Sequence, residues 1–148
     1  MYTIRQARAA LLAALEPLRA QAGARAIETY SGQLDGLEDG KTQLTVATPA
    51  LLVAYLGARY SYFEEGADEV ERRFAVIALA KSAGPQTARE DQATDLLDAA
   101  RAALHGAALG LELTRPTAVE SETLIAAGNG AVAYSMDVLI TYRQEMTA

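Results

Sequence analysis

The sequence predicts an α+β domain: a mostly antiparallel sheet of about five strands with two helices packed on one face, in the order α-β-β-β-α-β-β. Three observations predict it. Residues 3–22 and 87–105 place apolar side chains at helical spacing. Strand formers cluster in the stretches between and after these segments. The turn signal Gly128-Asn129-Gly130 joins the last two stretches into a hairpin. Helices layered on a sheet are the simplest way to bury one face of each. The 148 residues suit one domain over 1–148, large enough for a real core.

In the first helix Ile4, Leu11, Leu15 and Leu18 form the apolar stripe, and Thr3 is placed to cap it. Pro17 lacks an N–H and crowds residue 13, so a kink or a stop is expected there, with Gly23 closing the segment. Residues 26–31 alternate as a short strand, and residues 32–41 form a polar, glycine-rich loop. Residues 44–48 are ambiguous. Pro49 introduces an apolar run over 50–56, read as a strand buried on both faces and stopped by Gly57. Residues 58–67 read as a hairpin tip or irregular link. Residues 68–81 then read as a long strand that starts charged, in solvent, and ends apolar, in the core. Ser82-Ala83-Gly84-Pro85 breaks it.

The helix over 87–105 presents Ala93, Leu97, Ala100 and Leu104 as one stripe. Glu90 and Asp91 in its first turn and Arg101 near its last match the helix dipole, and Gly106 stops it. Residues 113–126 alternate roughly. Residues 131–143 alternate cleanly, with Val132, Tyr134, Met136, Val138, Ile140 and Tyr142 on one face and Ser135, Asp137, Thr141 and Arg143 on the other.

Apolar residues make up 51% of the chain, which excludes global disorder. Nineteen acidic against 13 basic residues give a net charge of −6, which argues against a dedicated nucleic-acid or anionic-membrane surface. With no cysteine, disulfides, thiolate catalysis and cysteine metal sites are excluded. The N-terminus lacks a signal-peptide pattern, and the longest apolar runs fall short of the roughly 18 residues of a membrane span. A soluble, cytoplasmic protein is expected.

No motif for chemistry stands out. Gly36 to Thr42 resembles a phosphate loop, but only three residues separate Gly36 from Gly40, and the loop is acidic. Asp35, Glu38 and Asp39 lack the ligand number and the distal glutamate of a calcium loop. His105 is the single histidine, so a zinc site has no second imidazole, and Ser82, Ser121 and Ser135 lie outside any nucleophile elbow. A packing or helix-end role fits it better. Glu64 and Glu65 point apart if extended, whereas Glu120 and Glu122 share a solvated face. Tyr60 and Tyr62 suit a protein interface, and Tyr55 suits either an interface or the core.

Three stretches together resemble a known family. They are the N-terminal helix leading into a short strand, the proline-led run Pro49 to Gly57, and Asp95-Leu96-Leu97-Asp98 through Leu104-His105-Gly106 with Leu109-Gly110-Leu111 after it. In order they resemble the Mu-like phage and prophage family of small tail proteins encoded beside the tail sheath, the tail terminators. The resemblance implies a structural, non-enzymatic protein without catalytic residues, metal or cofactor. It implies a homo-oligomeric ring, six-fold by expectation, that caps the tail tube and joins it to the head–tail connector. The tube, and the sheath beside it, are then partners. Neither a membrane nor sequence-specific nucleic acid is a partner. Such a protein passes from the host cytoplasm into the virion tail. Glu69, Glu71, Arg72 and Arg73 at the start of a strand, and Asn129 in the last turn, are the expected subunit or tube contacts. The alternative is a small cytoplasmic enzyme or ligand-binding α+β domain with a pocket near His105.

Overall fold

The computed structural model describes residues 2–35, 46–82 and 84–145. The phosphate-loop-like segment, with Glu38 and Asp39, therefore lies outside the described residues.

Helix α1 (Ile4–Leu15) begins on a reciprocal cap. Thr3 Oγ1 accepts the Gln6 N–H at 3.1 Å, and Gln6 Oε1 accepts the Thr3 N–H at 2.9 Å. Its buried face is Ala7, Leu11 and Leu15. The helix ends ahead of Pro17, as the missing N–H requires, and a single turn, α2 (Leu18–Gln21), follows. Strand β1 (Ala26–Thr29) comes next.

Strands β2 (Ala50–Glu64) and β3 (Ala67–Lys81) form a hairpin of 15-residue arms. The expectation that β2 stops at Gly57, with an irregular link over 58–67, is corrected here. The pairing of β2 with β3 slips between Tyr55 and Gly57, leaving Leu56 as the extra residue of a bulge. Gly57 adopts φ +145, which a side chain would resist, so the glycine absorbs the bulge instead of ending the strand. Pairing then resumes to Glu64, and the turn falls at Glu65-Gly66. Only Ala50 to Val53 are fully buried, so β2 is buried on both faces over its first four residues alone.

Helix α3 (Gln86–Leu104) buries Ala93, Leu96, Leu97, Ala100 and Leu104. Each fully buried leucine contributes about 1.5–3 kcal/mol of burial free energy. Because the helix starts at Gln86, Glu90 and Asp91 lie beyond its first turn, correcting the dipole argument made for them. Strands β4 (Arg115–Gly128) and β5 (Ala131–Glu145) close the chain. Their two-residue turn has Asn129 at φ +50 and Gly130 at φ +73, the conformation that the right-handed twist of a hairpin selects.

The sheet order is β1-β2-β3-β5-β4. β1 runs parallel to β2, and the other three pairings are antiparallel. α1 lies against β1 and β2, and α3 against β3 and β5. Between helices and sheet sits the main core, with Leu51, Val53, Val70, Phe74, Val76, Met136, Val138 and Ile140 on the sheet side. The expected half-buried character of β5 needs amending. Its second face also buries Ala133, Ser135, Leu139 and Thr141. A second apolar cluster around Leu52, Ile77 and Leu79 lies on that face, with Tyr30, Leu34 and Val46 packed against it. β5 is an interior strand, flanked on both sides, so its small side chains are covered by its neighbours.

Candidate assembly interface

The β2–β3 hairpin extends past the reach of β1, which pairs with β2 only over Ala50 to Val53. Beyond that point the outer edge of β2 has no partner strand among the described residues. The side chains there are large and uncovered: Tyr62 is 76% exposed, Tyr60 55%, Leu56 52% and Phe63 43%. At the opposite margin β4 is also an edge strand, with Leu124 54% and Ile125 38% exposed. Scattered apolar surface is ordinary, but apolar side chains collected on two open sheet margins are the raw material of strand-mediated assembly.

A buried cation braces the hairpin from behind. β3 runs without a register slip against β5, so Val70, Arg72 and Phe74 share the helix-covered face. Arg72 is 7% exposed. Its Nε donates to the Tyr142 hydroxyl at 3.0 Å, and one terminal nitrogen donates to Tyr55 at 3.0 Å and to Tyr60 at 3.3 Å. The guanidinium also stacks over the Tyr55 and Tyr60 rings, 5.9 and 5.6 Å from their centroids. Burial opposes its charge, but the hydrogen bonds from Arg72 to Tyr142 and Tyr55 outweigh it and hold the pKa above the usual arginine range.

Charges dominate the opposite face at this end. Arg73 contacts Asp137 at 2.8 Å and Glu120 at 3.9 Å, Arg115 contacts Glu69 at 3.2 Å, and Arg143 bridges Glu64 and Glu145. Most of these groups are well exposed, so each pair adds little stability and mainly ties neighbouring strands in register. A cleft of about 310 Å³ opens at the β2 bulge, lined by Leu56, Gly57, Ala58, Arg59, Glu71 and Arg73.

The family described as Bacteriophage Mu, Gp37 matches residues 3–139. The chain belongs to that family. Among curated proteins none matches. Among solved structures, a chain from "Virion of native gene transfer agent (GTA) particle" shares the fold, with TM-score 0.56, 15% identity and 93% of each chain covered.

In this Gp37-family chain the five predicted contact residues fall in three places. Glu69, Glu71 and Arg73 lie on the face away from the helices, Glu69 and Arg73 already in ion pairs. Arg72 points inward among the tyrosines. Asn129 stands exposed at the far end of the sheet, near Lys81. The structure does not bring these together. Sequence reasoning passed over Leu56, Phe63, Leu124 and Ile125. The alternation of Tyr60 and Tyr62 past a lone glycine was the signal that β2 continued.

His105 is accounted for structurally. It is the C-terminal cap residue of α3, and its Nδ1 accepts the Val119 N–H at 3.0 Å, which places the ring proton on Nε2. The ring therefore ties the helix end to β4 as a hydrogen-bond acceptor. An open cleft of about 510 Å³ lies nearby, lined by residues 106–108 and 111–116, and His105 is not among its lining residues. Among the described residues no group of three or more acidic or histidine side chains is placed to hold a metal. Among the described residues no helix is long and apolar enough to cross a membrane.

Proposed function

We propose that this chain is a tail terminator, a structural protein whose copies close into a ring on the head-proximal end of a phage tail tube. The observation that carries the reading is the pair of unlike, open sheet margins, the distal edge of β2 and the edge of β4 beyond Val119, on a member of the Bacteriophage Mu, Gp37 family. A cyclic ring is built from heterologous contacts, in which one surface of a subunit meets a different surface of the next. A sheet with two different free edges supplies such surfaces at the two ends of one layer. The ring, expected as a hexamer, stops tube growth and offers its far side to the head–tail connector, with the sheath alongside. Glu69, Glu71, Arg73 and Asn129 remain proposed contacts, whereas Arg72 is proposed to act from behind by fixing Tyr60.

An acidic chain, net charge −6, suits a passage that DNA must slip through, because DNA retention requires neutralisation of phosphates by basic groups. The role needs no bound metal or cofactor and no membrane contact, and it places the protein in the host cytoplasm during assembly and in the virion tail thereafter. Sedimentation of the purified chain with purified tail tubes tests the proposal. Co-sedimentation that saturates at a fixed small number of chains per tube supports it. A chain that stays in the supernatant at every ratio contradicts it.

A further inference from the structure

We propose that successive copies join by pairing the outer edge of β4 with the free distal edge of β2, with β1 acting as the stop that sets their register. The inference rests on the ring reading and names the surface that closes it.

The first part of β4 is occupied, since Thr117 exchanges backbone bonds with Gly106 and Ala107 and the Val119 N–H is held by His105. From Glu120 onward, and on β2 beyond Val53, the outward-facing backbone N–H and C=O groups have no strand partner among the described residues. Their side chains sort by face. On β2, Ala58, Tyr60 and Tyr62 are the cross-strand partners of Arg72, Val70 and Asp68, which puts them on the helix-covered face; Arg59 and Ser61 lie on the other. On β4, Val119, Glu122 and Leu124 partner Val138, Met136 and Tyr134 on the helix-covered face; Glu120 and Thr123 partner Asp137 and Ser135 on the other.

Joining the two sheets with their faces continuous restricts the register to steps of two residues. β1 restricts it further, because it occupies the edge of β2 through Val53. An incoming antiparallel β4 therefore ends with Gly128 opposite Ala54. Counting back, with Ile125, Ser121 and Leu56 as bulge residues, Leu124 comes opposite Ala58 and diagonal to Tyr60. Glu122 comes opposite Tyr60, and the pairing ends short of Val119, whose N–H is held by His105. On the other face Thr123 meets Arg59, and Glu120 comes opposite Ser61, diagonal to Arg59.

The chemistry of that register is complementary. Tyr60 gains apolar cover from Leu124 and lies opposite the carboxylate of Glu122. Arg59, which makes no ion pair among the described residues, gains Glu120, whose contact with Arg73 is long at 3.9 Å. The margins are unlike, so the contact repeats head to tail rather than closing as a two-fold dimer.

Cysteine cross-linking tests this directly, since the chain has no cysteine of its own. Cross-strand neighbours in such a pairing are close enough for a disulfide. The full-length double variants Ala58→Cys/Leu124→Cys and Arg59→Cys/Thr123→Cys are oxidised, both as concentrated protein and on tail tubes. The expected result is a ladder of covalent multimers from at least one double variant. Equal mixtures of the corresponding single variants give covalent dimers only, and single variants alone give none. A single variant that links to itself overturns the proposal. So do rings, seen by mass or on tubes, that yield no cross-link from either pair; in that case the ring reading survives. Absence of any assembly, alone or on tubes, sinks the ring reading and takes this contact with it.

Discussion

Arg72 and Tyr142 share a hydrogen bond of 3.0 Å in the interior, and the Tyr142 hydroxyl in turn donates to the Tyr2 carbonyl at 2.8 Å. The Tyr2 ring stands edge-on to Tyr142 at 5.3 Å, and the Tyr2 hydroxyl accepts the Glu112 N–H at 2.6 Å. One guanidinium thus links the middle of β3, the end of β5, the N-terminal residues and, through Tyr55 and Tyr60, the arm of β2. Its hydrogen-bond partners are uncharged, so the desolvation of the cation is offset by tyrosine hydroxyls, ring faces and, at 3.5 Å, the Gln144 amide oxygen.

Replacing Arg72 by Ala leaves three hydroxyls short of a donor and opens a void, so a loss of about 2–4 kcal/mol in folding stability is expected. Arg72→Lys restores the charge without the fork and recovers only part of it. Urea denaturation of the three proteins checks this, and an Arg72→Ala change below roughly 0.5 kcal/mol, the range of ordinary surface substitutions, contradicts it.

That arginine also marks where the sequence was legible and where it was not. The two helices, the break at Pro17, the Asn129-Gly130 turn and the inward face of β5 followed from local rules: caps, a missing N–H, positive φ and strict alternation. β2 beyond Gly57 did not, because a glycine ending an apolar run and a glycine absorbing a bulge look alike without the partner strand. The start of β3 read as a solvated charged end. Yet Val70, Arg72 and Phe74 are spaced by two, which already put Arg72 on the buried face. The parallel pairing of β1 and the second apolar cluster depend on contacts distant in sequence, which periodicity does not encode.

Tyr62 is 76% exposed and makes no hydrogen bond among the described residues, so Tyr62→Ser is expected to change stability by less than about 0.5 kcal/mol while weakening assembly. Thermal unfolding beside tube binding separates the two effects. Equal loss in both assays means that Tyr62 serves the fold.

Asn129 tests turn against contact. Asn129→Gly keeps the positive-φ turn and removes the side chain, so stability holds to within a few tenths of a kcal/mol and any loss of tube binding reports the contact itself. Asn129→Val strains the same turn by about 1–2 kcal/mol, readable as a lowered midpoint in denaturant.

His105→Ala removes the acceptor of the Val119 N–H at an exposed helix end, where water replaces it. A cost of about 1 kcal/mol or less is expected, with tube binding unchanged. Complete loss of binding, with the fold intact by circular dichroism, would return His105 to the functional surface.

The central claim concerns the end of a growing tube. Tail-tube protein polymerised with a substoichiometric amount of this chain, followed by electron microscopy, measures it most directly. The account predicts tubes whose growth halts, each bearing a ring of density at one end. Tubes that lengthen as they do without the chain, with both ends bare, contradict it.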